Sequence, residues 1–172
     1  SMLGEMQGLR PVLRSRAQAG DAVFVTGELG GSILDKHLDF TPRIEEGRWL
    51  AEFGINAMID VSDGVSGDLW HICRMSSVAA SIDAEGVPIS DAARKLSKRD
   101  GIGPLDHALH DGEDFELLFT VAADKARQLE QTWPFETRLS RIGEAEEGKP
   151  TISLIEGSIR TPLPIKGFEH EF

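Results

Sequence analysis

The chain has 172 residues, 40% of them hydrophobic, and a net charge of −11 from 29 acidic and 18 basic side chains. That length admits one domain with a proper core, or a large domain with a small appendage. The acidic balance argues against general nucleic-acid binding, which needs clustered Lys and Arg, and no run approaches the roughly 18 apolar residues that span a bilayer, so no membrane contact is expected. The lone Cys73 excludes an internal disulfide; with no secretory signal in view, a cytoplasmic protein is expected.

Residues 1–20 end in LRPVLRSRAQAG and hold no core strand. They read as an N-terminal arm or connector, ahead of a domain over 21–172. Arg10, Arg14 and Arg16 of this arm are either solvated or placed to meet a nucleotide phosphate. A strand is predicted at Ala22–Thr26 (AVFVT), followed by the loop GELGGS, Gly27–Ser32. Its glycines permit positive φ and close approach of a ligand. The Gly-Lys-Ser/Thr ending of a P-loop is missing. His37–Pro42 turns into a helix over Arg43–Phe53, with Ile44, Leu50 and Phe53 on one side and Gly54 stopping it.

The stretch Ala57–Leu69, AMIDVSDGVSGDL, organises the rest. A short apolar strand, Asn56–Asp60, ends on a carboxylate, turns at Ser62-Asp63-Gly64, and opens a helix over Ser66–Ser76. Asp favours turns and caps over strands, so Asp60 and Asp63 fit a strand-to-helix junction, where open α/β sheets hold their ligands. Two hard oxygen ligands three residues apart, beside exposed backbone N–H groups, suit Mg²⁺ holding a phosphate. The same residues also suit a plain turn, with Asp68 complementing the helix dipole.

Leu69, Ile72, Cys73 and Ser76 keep helical spacing. Val78–Ile82 reads as a strand, Ser90–Leu96 as a helix capped by Ser90, and Pro104–His110 as a helix with Pro near its first position. In the second loaded stretch, DGEDFELLFTV, the turn Asp111-Gly112 leads Glu113 and Asp114 into a strand over Phe115–Val121. Its nearly unbroken apolar run predicts burial on both faces. Both this strand and Asn56–Asp60 are expected to lie inside the sheet. An acidic pair entering a central strand needs a partner, water or a ligand, although a turn at a sheet edge would also explain it. A helix over Ala122–Trp133 presents Ala126, Leu129 and Trp133. Strands at Arg138–Ile142 and Thr151–Ile155 then flank EAEEGKP, a solvated hairpin or loop. The tail, PIKGFEHEF, carries Phe168 and Phe172. Strands alternate with helices, but several links are hairpin-like, so a mixed sheet covered by helices is expected.

Taken together, RSRAQAGDAVFVTGELGGS, TPRIEEGRWLA, MIDVSDGVSGDL, DGEDFELLFTV and KGFEHEF resemble the thiamine-monophosphate kinase family, in order, from about Arg14 to Phe172. That family sits in the ATP-binding superfamily of aminoimidazole ribonucleotide synthetase and selenophosphate synthetase. Where the family reads GGED this chain has Asp111-Gly112-Glu113-Asp114, and a peripheral helix between Ser32 and His37 is cut short. The resemblance implies an α/β (α+β) fold with a mixed sheet in a three-layer α-β-α arrangement. It also implies a C-terminal domain alone, without the aspartate-rich N-terminal half that carries most Mg²⁺ ligands, much of the ATP site and the homodimer interface. By the same resemblance the intact enzyme transfers a phosphoryl group from ATP to thiamine monophosphate, giving thiamine diphosphate. Asp60 and Asp63 would ligate Mg²⁺, Ser62 and Arg14 would contact ATP, and Glu113 and Phe168 would contact the thiamine substrate. Two alternatives stay open: a sibling ATP-dependent enzyme acting on a purine precursor or selenide, and a non-catalytic binding domain.

Overall fold

The computed structural model describes residues 8, 10–34, 36 and 38–165. Among them the elements run β1 (Ala22–Thr26), α1 (Ile44–Phe53), β2 (Ala57–Asp60), α2 (Val65–Ser76), β3 (Ala79–Asp83), α3 (Asp91–Asp100), α4 (Pro104–His110), β4 (Leu117–Val121), α5 (Ala123–Thr132), β5 (Leu139–Glu146), β6 (Ile152–Glu156) and β7 (Ile159–Pro162). All strands join one sheet in the order β2-β4-β1-β5-β3-β6-β7. Every neighbouring pair is antiparallel except β3 with β6. The sheet is mixed, as expected.

Alternation along β1 explains the layering. Val23 and Val25 face a core built with Leu69 and Ile72 of α2 and Ala108 and Leu109 of α4. Ala22 and Phe24 face the opposite core, with Leu50 of α1 and Ala126 and Leu129 of α5. On that side Phe24 stacks on Phe119 with ring centroids 5.7 Å apart. Helices therefore cover both faces, giving three layers, α-β-α. None of the described helices is long and apolar enough to cross a membrane.

Local chemistry sets several element ends. Gly54 closes α1 in the left-handed conformation at φ 85°. Ser90 caps α3, its hydroxyl accepting from the Ala93 amide at 2.9 Å. Cys73 is buried and its thiol is pushed up to about 12, chiefly by burial. It packs as a small apolar side chain.

Four expectations are corrected. β2 is an edge strand, pairing only with β4. Its apolar residues serve packing against helices, and only Ala57 is fully buried. The second strand begins at Leu117, because Phe115 leaves extended backbone at φ 52°. Ile44 is exposed; the buried position one turn before Leu50 belongs to Glu46, which accepts from the Thr137 hydroxyl at 2.6 Å. Of the hairpin or loop expected at EAEEGKP, the hairpin is excluded, since β3 lies between β5 and β6; β5 continues through Glu146 and a loop follows at 147–150. The tight hairpin is β6-β7, whose short polar second strand the sequence pattern did not reveal.

Candidate functional site

β2 and β4 run antiparallel, so the residues that leave β2 lie beside those that enter β4. Asp60 pairs with Leu117 in register. The ladder continues irregularly past it: Val61 N–H donates to Glu116 O at 2.8 Å, Phe115 N–H to Val61 O at 2.9 Å, and Glu113 N–H to Ser62 O at 2.9 Å. Gly112 sits against the Ser62 carbonyl so closely that no Cβ would fit. The two acidic stretches are thus stitched together through their backbones at one end of the sheet.

On one side of this seam lies an open cleft of about 440 Å³, lined by Arg14, Asp60, Ser62, Asp63, Asp68 and His71 together with Val12, Leu13, Met58 and Ile59. Arg14 reaches it because the arm is pinned to the end of α2. The Ser76 hydroxyl donates to Arg14 O at 3.0 Å and accepts from Ala17 N–H at 3.1 Å. On the other side a smaller cavity of about 150 Å³ is lined by Glu113 with Ser32, Ile33, Leu96, His110, Asp111 and Gly112. Arg14, Asp60, Ser62 and Asp63 therefore share one cleft, and Glu113 adjoins it. Phe168 lies outside the described residues.

Asp68 does more than complement a helix dipole. It is 1% exposed, and one oxygen accepts both the Ser62 and the Asp63 amide at 3.0 Å. It thereby shapes the Ser62-Asp63-Gly64 turn, and those two N–H groups are not available to a phosphate as the sequence suggested. Burial pushes its carboxyl up to about 7, with the charges of Asp63 and Asp60 adding to the rise against the two amide bonds. Its place in the first turn of α2 was the only local signal of this role.

Among the described residues, no group of three or more His, Cys, Asp or Glu side chains converges to hold a metal ion. The chemistry of the donors nonetheless fits a hard divalent cation at partial coordination. Asp60 is exposed, Asp63 is half-buried, both line the open cleft, and neither enters an ion pair with a described Lys, Arg or His.

The glycine-rich loop turns inward to protein, not outward to a ligand. Gly27, at φ 63°, faces the Glu116 carboxylate where a Cβ would stand, and at Gly30 (φ 83°) a Cβ would lie 2.6 Å from Ala108 N. The Gly30 amide donates to both oxygens of Asp114 (3.0 and 2.9 Å), and the Gly31 amide donates to Asp111 at 2.8 Å. Asp111 also meets His107 Nδ1 at 3.1 Å, while His107 Nε2 lies 3.3 Å from Asp100. Asp114 and Asp111 are thus spent on the loop, a pairing 80 or more residues apart that leaves no local trace in sequence.

Burial also pushes the Asp114 carboxyl up to about 7, against the lowering effect of the Gly30 amide and the charge of Lys36. An unfolded Asp titrates near about 3.9. The folded chain binds more protons between those values, so this contribution is complete below about pH 4 and is lost as pH rises through 7. In metal-free buffer the chain is expected to melt higher at about pH 5 than at about pH 8. Asp114→Asn keeps an acceptor for Gly30 and should narrow that gap. A gap of unchanged width in melts of the variant would refute the assignment.

A mixed-sheet, three-layer α/β domain with a carboxylate-lined cleft where β2 meets α2 is the class that these elements define. Residues 31–155 match the family described as AIR synthase related protein, C-terminal domain, and the chain belongs to that family. It is similar to the thiamine-monophosphate kinase of Rhodopirellula baltica, 47% identical over 124 residues, covering 72% of this chain and 39% of the relative. Among solved structures it is similar to the thiamine-monophosphate kinase of Stenotrophomonas maltophilia K279a, with TM-score 0.74 and 36% identity over 83% of this chain and 52% of that one. It is also similar to AaThiL complexed with AMPPCP and TMP, with TM-score 0.71 and 28% identity over 92% of this chain and 54% of that one. The chain spans 39% of the length of the Rhodopirellula baltica relative and 58% of that of the thiamine-monophosphate kinase of Buchnera aphidicola subsp. Schizaphis graminum.

Proposed function

We propose that the chain is the C-terminal domain of a thiamine-monophosphate kinase, which moves the γ-phosphoryl group of ATP onto the phosphate of thiamine monophosphate. A bond forms between the γ-phosphorus and an acceptor phosphate oxygen, the β–γ bridging bond breaks, and ADP leaves. Both reactants are anionic, so positioning and charge neutralisation dominate over covalent chemistry from side chains. Asp60 and Asp63 would hold Mg²⁺, which when bound would supply positive charge against the phosphates. Arg14 sits against the nucleotide phosphates, and the Ser62 hydroxyl contacts ATP. Glu113 faces the cationic thiamine moiety, where Phe168 adds an aromatic surface.

Most weight rests on the 2.9 Å hydrogen bond from Glu113 N–H to Ser62 O. It places the residue assigned to the acceptor directly beside the residues assigned to the donor and metal. Remaining metal ligands and the homodimer contact are assigned to an N-terminal half of a cytoplasmic protein about twice this length, in keeping with the relatives' proportions.

Two preparations test this. The full-length protein is expected to form thiamine diphosphate from thiamine monophosphate, ATP and Mg²⁺, and the 172-residue chain alone to show no appreciable turnover. Isothermal titration should show thiamine monophosphate binding to the full-length protein with AMPPCP present. Binding of AMPPCP without any binding of thiamine monophosphate would favour a sibling enzyme; turnover by the isolated chain at the full-length rate would refute the division of the site.

A further inference from the structure

Three non-glycine residues among those described have positive φ: Ser77 at 58°, Glu113 at 62° and Phe115 at 52°. Ser77 is the left-handed C-cap of α2, an ordinary place for it. Glu113 and Phe115 terminate nothing. They flank Asp114 in the segment that enters β4, and neither side chain belongs to the Asn and Asp class that tolerates this conformation. Such backbone persists only where the surroundings over-determine it.

The surroundings do so at three points. Glu113 N–H and Phe115 N–H are tied to the carbonyls of Ser62 and Val61, both at 2.9 Å. Glu116, the next residue, is fastened by Arg43, Lys36 and Thr26. Between them Asp114, 1% exposed, takes the Gly30 amide on both oxygens. Gly30 packs closely against α4, where an added Cβ would come within 2.8 Å of the His107 and Ala108 backbone. The chain of contact therefore runs from α4 through Gly30 and Asp114 to the two left-handed residues. Beside it Glu113, half-buried, lines the cavity with Ile33, Leu96 and His110.

A buried carboxylate needed only to satisfy one loop amide would not have to sit between two unfavourable backbone conformations. We propose that Asp114 is a positioning residue of this site: by holding Gly30 it keeps Glu113 and Phe115 left-handed and sets the Glu113 carboxylate at the cavity that takes the phosphoryl acceptor. This rests on the assignment of Glu113 to the thiamine substrate, and Asp114 itself touches no ligand.

The test uses the full-length protein with Glu113→Gln, Asp114→Ala and Asp114→Asn. Glu113→Gln and Asp114→Ala are both expected to raise KM for thiamine monophosphate by about tenfold or more, with KM for ATP within about twofold. Asp114→Asn, which still offers an oxygen to Gly30, should restore KM to within about threefold of the parent. If Glu113→Gln leaves KM for thiamine monophosphate unchanged, the assignment of Glu113 itself fails. If Glu113→Gln raises it and Asp114→Ala does not, only the positioning role fails. The role is also overturned if Asp114→Ala lowers the melt and kcat while both KM values stay put. Hydrogen exchange on the unsubstituted protein covers the case in which Asp114→Ala does not fold. Thiamine monophosphate should slow the Gly30, Glu113 and Phe115 amides together, and a Gly30 amide indifferent to it would overturn the linkage.

Discussion

Asp60→Asn in the full-length protein is expected to lower kcat by about 10²-fold or more, roughly 3 kcal/mol of barrier, with the melting temperature no lower than the parent's. The substitution keeps size and hydrogen-bonding capacity and removes one negative charge. Asp60 ends an edge strand, is exposed, and forms no ion pair with a described Lys, Arg or His, so folding has little to lose. Its charge also adds to the pressure on buried Asp68, and relieving it should favour the metal-free fold slightly. If Asp60 merely ended the strand, Asn would serve nearly as well, and activity would follow stability. Steady-state kinetics and thermal melts on one preparation separate the two cases. A near-normal kcat at saturating Mg²⁺ would remove Asp60 from the metal site.

Arg43→Met is expected to destabilise the chain by about 3 kcal/mol, the low end of what losing one partner of a buried ion pair costs. For a chain of this size that corresponds to a fall in Tm of about 6–12 °C. Arg43 grips Glu116 with two nitrogens, Nε to Oε2 at 2.8 Å and Nη2 to Oε1 at 2.9 Å. Glu116 is 1% exposed and also takes Lys36 Nζ at 2.7 Å and the Thr26 hydroxyl at 2.8 Å. The surviving contact with Lys36 keeps the loss at the low end. Burial alone would raise the Glu116 carboxyl; the bonds from Arg43 and Lys36 and the nearby Lys36 charge outweigh it and hold it below its ordinary value. That contribution to stability is present above the unfolded value of about 4.3 and is lost as pH falls through the lower folded value. The variant should therefore lose stability at a higher pH than the parent on acid titration. Pairing Arg43→Met with Glu116→Leu should recover most of the loss, since an apolar pair leaves no buried charge. A double variant no more stable than Arg43→Met would show that the cost lies in packing.

Much of this molecule could be read locally. Periodicity in Leu69, Ile72 and Cys73 located α2 and its buried face, Ser90 announced the start of α3, and Gly54 the end of α1, because each of these acts within one or two turns of chain. The motif residues Asp60, Ser62 and Asp63 stood out for a similar reason: Asp favours turns and caps over strands, so the pattern marks a strand-to-helix junction. Tertiary structure alone decided that β2 closes an edge, that β3 separates β5 from β6, and that Gly27 and Gly30 meet protein. It also turned Asp114 and Glu116 into inward fasteners, with Glu113 between the seam and the cavity. Those outcomes depend on partners 73 to 90 residues away, such as Arg43 and Thr26 for Glu116 and Gly30 for Asp114. Strand order and buried polar pairing are settled by which distant surfaces meet. A side chain of Glu or Asp has the same local preferences whether it will face a ligand, an arginine or a loop amide.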